Sequence, residues 1–252
     1  RQCPAPCMGV VRTPIRVLLG SGGIATEDRR ELYRDLVSEH FSDCTEIVFV
    51  PFASDNHDAY TSRIQDFLGS TVPKIVGLHD FPDPSLAISR AEAIYVGGGN
   101  SFLLIKELHE RCLVGSISQR VLSGIPYLGV SAGSNVASPT MMTTNDMPIA
   151  MPSSFESFGV VPFQINPHYH PGKIKFIDEG EIVDHFGETR AQRISEFHRQ
   201  DSTPVLGMWE GSYVHWNGTM GRLTGRATAF RAGEDSIEFS DGSQFDEDLQ
   251  KI

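Results

Sequence analysis

Apolar residues come in short, nearly unbroken bursts through the first half of the chain, and each burst is followed by a stretch with helical spacing. Ile15–Leu19 is apolar and ends in Gly20-Ser21-Gly22-Gly23, the pattern of a buried strand running into a glycine turn. Thr26 then opens a helix whose Leu32, Tyr33, Leu36, Val37 and Phe41 share one face. The alternation repeats, with strands expected over Glu46–Phe52, Lys74–Leu78, Ala93–Val96 and Ile125–Val130. Helices are expected over His57–Gly69, Pro84–Ala91, Ser101–Arg111 and Gly115–Leu122. This rhythm predicts right-handed crossovers and a parallel sheet with helices on both faces, and the uniform apolarity of each strand fits burial on both sides.

The texture changes beyond about residue 204. Val205–Trp209, Tyr213–Trp216, Ala227–Phe230 and Ser236–Phe239 are short strands between Gly and Asn turns, which predicts an antiparallel edge. Between the two regions, Pro139–Gly187 holds several prolines and little periodicity. Irregular chain of that length in a compact fold is usually functional. No linker, repeat or low-complexity stretch interrupts the pattern, so one domain over residues 1–252 is expected, with the acidic stretch Asp241–Asp248 beginning a solvated C-terminal tail.

Composition narrows the class. Of the 252 residues 40% are apolar and 21% charged, which excludes long disorder. The 21 basic and 32 acidic residues leave a net charge of −11. The cations are interspersed with acids, so nucleic acid is not an expected partner. No apolar run approaches the roughly 20 residues of a membrane span. The four cysteines are too few and too scattered for a disulfide framework. Cys3 and Cys7 have no second Cys/His pair to complete a zinc site. Residues 1–7 lack an h-region and a cleavage pattern, and read as an added tag or an ordered arm ahead of Met8. A reduced, cytoplasmic protein is the expectation.

Gly129-Val130-Ser131-Ala132-Gly133 carries the strongest chemical signal: G-x-S-x-G between an apolar strand and a plausible helix over Ala132–Ala137. Such a strand must reverse sharply, leaving the serine exposed at its carboxyl end, beside the free N–H groups of a helix N-terminus. The Ala132 N–H is therefore a candidate oxyanion donor. A second donor would come from another strand end, and Gly97-Gly98-Gly99-Asn100 qualifies, although Asn100 or Ser101 could serve only as a helix cap. A serine nucleophile needs a base, and the base an orienting acid. Among nine histidines, His168 and His170 stand out, in Ile165-Asn166-Pro167-His168-Tyr169-His170. Glu210, between Trp209 and Gly211, is a reasonable orienter, but composition does not select it over Asp146 or Asp178. Gly20–Ala25 matches G-x-G-x-x-A, yet the acid that a dinucleotide site needs after the second strand is replaced by Pro51-Phe52-Ala53-Ser54.

The blocks GGGNSF (Gly97–Phe102), GVSAGSN (Gly129–Asn135), TTNDMPI (Thr143–Ile149), INPHY (Ile165–Tyr169) and GETRAQRI (Gly187–Ile194) together resemble the peptidase E family of serine α-aspartyl dipeptidases, in order and approximate spacing. The resemblance implies a flavodoxin-like α/β sandwich of the class I glutamine-amidotransferase type. It implies Ser131 as nucleophile, His168 as general base and Glu210 as the third triad member, with Gly99 and Ala132 as oxyanion donors. The implied substrate is a dipeptide with an N-terminal aspartate, and neither a metal nor a cofactor is implied. Arg190 would hold the substrate carboxylate through paired hydrogen bonds and Asp146 the ammonium, with Asn100, Thr144 and Asn145 adding neutral hydrogen bonds. Each has a plainer alternative: Arg190 pairing with Glu188 or Glu196, Asp146 holding a turn. Residues Tyr169–Phe186 exceed the family's usual connection and could form a different lid. Two rival readings stay open, a cyanophycinase-like hydrolase of β-linked aspartyl substrates and a binding protein without turnover. The oligomeric state is open too, a homodimer included.

Overall fold

The computed structural model describes residues 14–252; Cys3, Cys7 and the residue 1–7 arm lie outside them. The chain begins with β1 (Arg16–Gly20), α1 (Glu27–His40), β2 (Glu46–Val50), α2 (His57–Leu68), β3 (Lys74–Gly77), α3 (Pro84–Arg90) and β4 (Ile94–Val96). It continues through α4 (Ser101–Glu110), α5 (Leu113–Leu122), β5 (Pro126–Val130), α6 (Ala132–Asn135), β6 (Gln164–Tyr169), β7 (Lys175–Asp178), β8 (Glu181–Asp184) and α7 (Arg190–Phe197). The last strands are β9 (Val205–Trp209), β10 (Tyr213–Trp216), β11 (Gly221–Thr224), β12 (Ala227–Phe230), β13 (Ile237–Phe239) and β14 (Gln244–Phe245). Helix starts follow local chemistry: the side chains of Thr26, Asn56 and Asp83 accept the free N–H groups of α1, α2 and α3.

The main sheet has eight strands in the order β14-β11-β10-β1-β5-β4-β2-β3. Its β1, β5, β4, β2 and β3 run parallel, as the alternation predicts, and β10, β11 and β14 extend it antiparallel. Successive strand residues face opposite ways. Leu18, Ile47, Phe49, Tyr95 and Leu128 meet Tyr33 and Val37 of α1, Phe41 just after it, and Tyr60 of α2. The alternate residues Val17, Leu19, Val48, Val50, Ile94 and Tyr127 meet α4 and α5 through Leu104, Leu108, Ile117 and Val121, and a second sheet through Leu206 and Met208. Both faces of the central strands are therefore dry, which is why those strands are apolar at nearly every position. The fold is the mixed α/β, flavodoxin-like, glutamine-amidotransferase-like sandwich.

Three expectations are corrected. The late strands do not form one edge: β9, β12 and β13 leave the main sheet and join β6 in the order β13-β12-β9-β6, with β6 and β9 parallel. The chain changes sheets at the turn Glu210–Gly211, where Gly211 has φ 76°. The stretch 139–187 is not wholly irregular, since β6 lies inside it and buries Gln164, Ile165 and Asn166 between neighbouring elements. The C-terminal end is not simply solvated. β14 pairs with β11, and Phe245 and Leu249 are fully buried while Glu247 and Asp248 between them face water. Two large apolar side chains among the acids outweigh the charge of the segment, because the carboxylates stay hydrated at no cost.

Candidate active site

The carboxyl ends of β1, β4 and β5 lie side by side in parallel register, with Gly20 opposite Val130 and Val96 opposite Gly129. Three loops therefore converge at one edge: the glycine run after β1, Gly97–Gly99 after β4, and Ser131 after β5. Ser131 has φ 55° and ψ −111°, a conformation that costs a non-glycine residue of order 1–3 kcal/mol. The surroundings hold it there. Its N–H donates to the Gly20 carbonyl at 2.9 Å, and its own carbonyl accepts from Ser134 and Asn135 at 2.9 Å each. The flanking glycines are required by close approach, since a Cβ on Gly129 would strike the Gly133 carbonyl and one on Gly133 the Val96 carbonyl. Ser134, fully buried, lies 2.8 Å from the Gly20 carbonyl and 2.7 Å from that of Gly129, and its single proton serves one at a time.

Second-sheet strands bring the other candidates. Ser131 Oγ lies 2.5 Å from His168 Nε2, and His168 Nδ1 lies 3.0 Å from Glu210 Oε1. The His168 side chain is 34% exposed and that of Glu210 50%, so the relay opens to solvent on one side. His168 sits at φ 142°, where the register of β6 against β9 slips between Pro167 and Tyr169. That bulge turns one side chain out of the strand toward the loops of the other sheet. Glu210 occupies the turn by which the chain leaves the second sheet for the first. The Gly22 carbonyl accepts the Gly211 N–H at 2.8 Å, which fixes the turn. A Cβ on Gly22 would stand 3.1 Å from His168 Cε1, and one on Gly23 would overlap the Glu210 carboxylate. The glycines of the apparent dinucleotide fingerprint thus let backbone cover the His168–Glu210 pair.

Gly99 and Ala132 follow β4 and β5 at this same edge. Among the described residues neither N–H donates to a protein acceptor. Arg190 is the first residue of α7, capped by Thr189 and Gln192 in a reciprocal pair of hydrogen bonds. Ile194 of α7 is buried with Tyr169, Val205 and Phe230, which ties the helix to the strand end that carries His168. A cation at a helix N-terminus opposes the helix dipole. Burial, then the nearby Arg193, lowers the Arg190 pKa, while the charge of Asp146 works the other way. No carboxylate lies within 4.0 Å of the Arg190 guanidinium among the described residues, so the expected alternatives Glu188 and Glu196 do not pair with it.

The other expected substrate groups are occupied within the protein. Asn100 caps α4 through Phe102 and Leu103, and its Nδ2 donates to the Met147 carbonyl at 2.9 Å. Thr144 Oγ1 donates to Ser101 Oγ at 3.0 Å. Asn145 Nδ2 donates to the Pro167 carbonyl at 2.6 Å, and its Oδ1 accepts from Asn166 at 2.9 Å. These side chains bolt the 143–147 loop to α4 and β6, because a non-repetitive loop must satisfy its polar groups locally. Asp146 is divided. Its Oδ2 accepts both the N–H and the hydroxyl of Ser101 at 2.7 Å, and its other oxygen has no protein partner among the described residues. Sequence reasoning considered Ser101 only as a helix cap; its bonds to Asp146 join residues 45 apart, which no local pattern shows.

His170 forms no part of the relay. The hairpin β7–β8 within the expected insert is two-stranded, joined to neither larger sheet, with all but one strand position exposed. Away from the cleft, a cavity of about 480 Å3 is lined by Glu46, Phe81, Arg90 and Glu92, at the start of β2 and so at the opposite edge of the sheet. His79, Asp58 and Asp80 form a surface cluster on the periphery, with His79 Nε2 2.8 Å from Asp58.

Residues 17–224 match the sequence model of peptidase family S51. The chain belongs to peptidase family S51. This S51 chain is a serine-type peptidase, and its similarity to relatives spans most of both sequences. It is 42% identical to peptidase E of Streptomyces coelicolor over 80% of this chain and 81% of that one. It is 44% identical to a probable alpha-aspartyl dipeptidase of Drosophila melanogaster over 73% of this chain and 74% of the relative. Among solved structures, a peptidase from an acI-B1 actinobacterium superposes with a TM-score of 0.63 over 93% of this chain and 98% of its own, at 18% identity. A putative peptidase E from Listeria monocytogenes EGD-e superposes with a TM-score of 0.56, covering 90% of this chain and 99% of its own, at 18% identity. These two superpositions bear on the fold.

Proposed function

We propose that the chain, as one catalytic domain, hydrolyses dipeptides with an N-terminal aspartate through Ser131, His168 and Glu210. The observation that carries this reading is the continuous relay from Ser131 Oγ through both ring nitrogens of His168 to the Glu210 carboxylate. The names of the peptidase E and alpha-aspartyl dipeptidase relatives support the substrate class. The half-buried Arg190, without a carboxylate partner among the described residues, supports the reading of an aspartyl side chain. Asp146 is left with one oxygen for the substrate ammonium.

In this mechanism the turn at Ser131 is a nucleophile elbow. Ser131 Oγ attacks the aspartyl carbonyl carbon as His168 Nε2 takes its proton. Glu210 holds the proton on Nδ1, which keeps Nε2 basic and steadies the imidazolium. The Gly99 and Ala132 N–H groups bind the oxyanion, each worth about 3–4 kcal/mol by analogy with other oxyanion donors. The C–N bond breaks, and His168 returns the proton to the leaving amine. Water then attacks the aspartyl ester with His168 as base, and Ser131 recovers its hydroxyl. Every proton in this sequence is moved by the relay, so activity is expected to survive EDTA. Cys44 and Cys112 are free thiols, which supports placing the enzyme in a reducing cytoplasm, acting on free dipeptides.

The test is hydrolysis of Asp-Leu beside Asn-Leu, Ala-Leu and β-Asp-Leu, with Ser131→Ala as control. Cleavage of Asp-Leu alone, lost in the variant, is expected. An unpaired Arg190 in the complex should make Asn-Leu and Ala-Leu poor substrates. Preferential cleavage of β-Asp-Leu would transfer the protein to the β-aspartyl hydrolases.

A further inference from the structure

The Gly97–Gly99 loop is held from behind by a residue that neither the relay nor substrate recognition uses. Tyr60, on α2, is 8% exposed, and its hydroxyl donates to the Gly98 carbonyl at 2.9 Å. Phe49 stands edge-on to its ring at 5.0 Å, and the Arg63 guanidinium lies over it at 4.8 Å. Burial raises the pKa of the phenol, so it remains a proton donor at ordinary pH. A Cβ on Gly97 would stand 2.6 Å from that hydroxyl, so the loop can come this close only without a side chain there.

The Gly98 carbonyl and the Gly99 N–H belong to one peptide unit. In a trans peptide they point in opposite directions, so fixing one aims the other. Flanking bonds pin the ends of the loop: Gly97 N–H to the Val50 carbonyl at 3.2 Å, and Asn100 N–H to the Ala53 carbonyl at 3.1 Å. Between them the peptide is bordered by two glycines, the residues whose backbone rotates most freely. Gly98 packs against the nucleophile, since a Cβ there would stand 3.1 Å from Ser131 Cβ.

We propose that Tyr60 is a positioning residue, its hydroxyl locking the Gly98–Gly99 peptide so that the Gly99 N–H faces the oxyanion. This rests on the reading of Gly99 as an oxyanion donor.

Tyr60→Phe removes only the hydroxyl and keeps the ring. Complete loss of one oxyanion donor costs about 100- to 1,000-fold, so a donor left free to rotate should cost kcat on Asp-Leu roughly 10- to 100-fold, with KM within about 2-fold. Labelling of Ser131 by a fluorophosphonate should slow by a similar factor, because that attack also builds charge on an oxygen held by the same donors. Val37→Ala, in the same core but on α1, is the packing control. It loosens the same core without touching the hydroxyl, and should lower Tm while leaving kcat within about 2-fold.

Unchanged kcat and labelling rate in folded Tyr60→Phe would overturn the proposal. So would a loss confined to KM, or an equal loss of kcat in Val37→Ala. Wild-type protein that labels but does not cleave Asp-Leu would sink the substrate assignment alone, and the labelling ratio would still decide the role of Tyr60. Wild-type protein that does not label would overturn both.

Discussion

At Ser131, backbone strain and side-chain chemistry meet in one residue. Its φ of 55° is maintained by three backbone hydrogen bonds, one to the Gly20 carbonyl and two from the Ser134 and Asn135 N–H groups. His168 and Glu210 then need no strain energy of their own beyond one bulge and one glycine turn. Arg190 carries the residue-scale prediction. A guanidinium that gives two parallel hydrogen bonds to a carboxylate is not replaced by an ammonium. Arg190→Lys should raise KM for Asp-Leu by roughly 10-fold or more, since a charge-assisted bond to carboxylate is worth about 1.5–3 kcal/mol. Arg190→Met should remove the preference for Asp-Leu over Asn-Leu as well. Retained preference in the methionine variant would remove Arg190 from substrate recognition.

At the scale of elements, β6 and the loop before it share the work of aiming His168. Thr143, Asn145 and Asn166 tie residues 143–145 to β6 through the Ile165 and Pro167 carbonyls and through one another. Asn100, Thr144 and Asn145, which the resemblance would assign to substrate, direct these hydrogen bonds to the protein and help frame the site. The hairpin β7–β8 is the opposite case. Its Ile177 and Ile182 face each other across the strands, yet remain 75% and 72% exposed. An element that buries so little contributes little to global stability. Trypsin should cut first at Lys173 or Lys175, and replacing residues 173–186 by a short glycine linker should shift Tm by no more than about 2 °C. A large fall in Tm would mean that the hairpin is docked in solution.

At the scale of the whole molecule, two dry faces of one sheet supply the stability on which the open cleft depends. His40 belongs to this core. It is 8% exposed, with Nε2 3.0 Å from the Tyr127 carbonyl, and burial followed by the neighbouring His215 pushes its pKa down to about 3. Between the ordinary value of 6.5 and about 3, the unfolded imidazole binds a proton that the folded one refuses. The native state therefore loses stability as pH falls through that window, and keeps it in full above the window. Denaturation by urea from about pH 7.5 to about pH 5 should cost the wild type about 2 kcal/mol more than His40→Gln, which keeps a donor for Tyr127 but cannot titrate. Equal slopes would mean that His40 is charged in the fold.

The strand–helix rhythm, the parallel half of the sheet and the serine turn were legible in the sequence because each follows from neighbours in the chain: apolar periodicity, helix caps, and glycines on either side of Ser131. The INPHY block also placed His168 as a candidate, and the resemblance added Glu210, before Gly211 after a late strand. What no local pattern contained was the partition of the late strands between two sheets, which depends on pairing partners far apart in sequence. For the same reason the burial of Phe245 and Leu249 within an acidic end could not be read from that end alone. The split between Arg190, left without a carboxylate partner, and Asn100, Thr144 and Asn145, consumed as struts, is likewise tertiary. A polar side chain looks the same in sequence whether its hydrogen bonds go to a ligand or to the protein, and only the packed structure counts them.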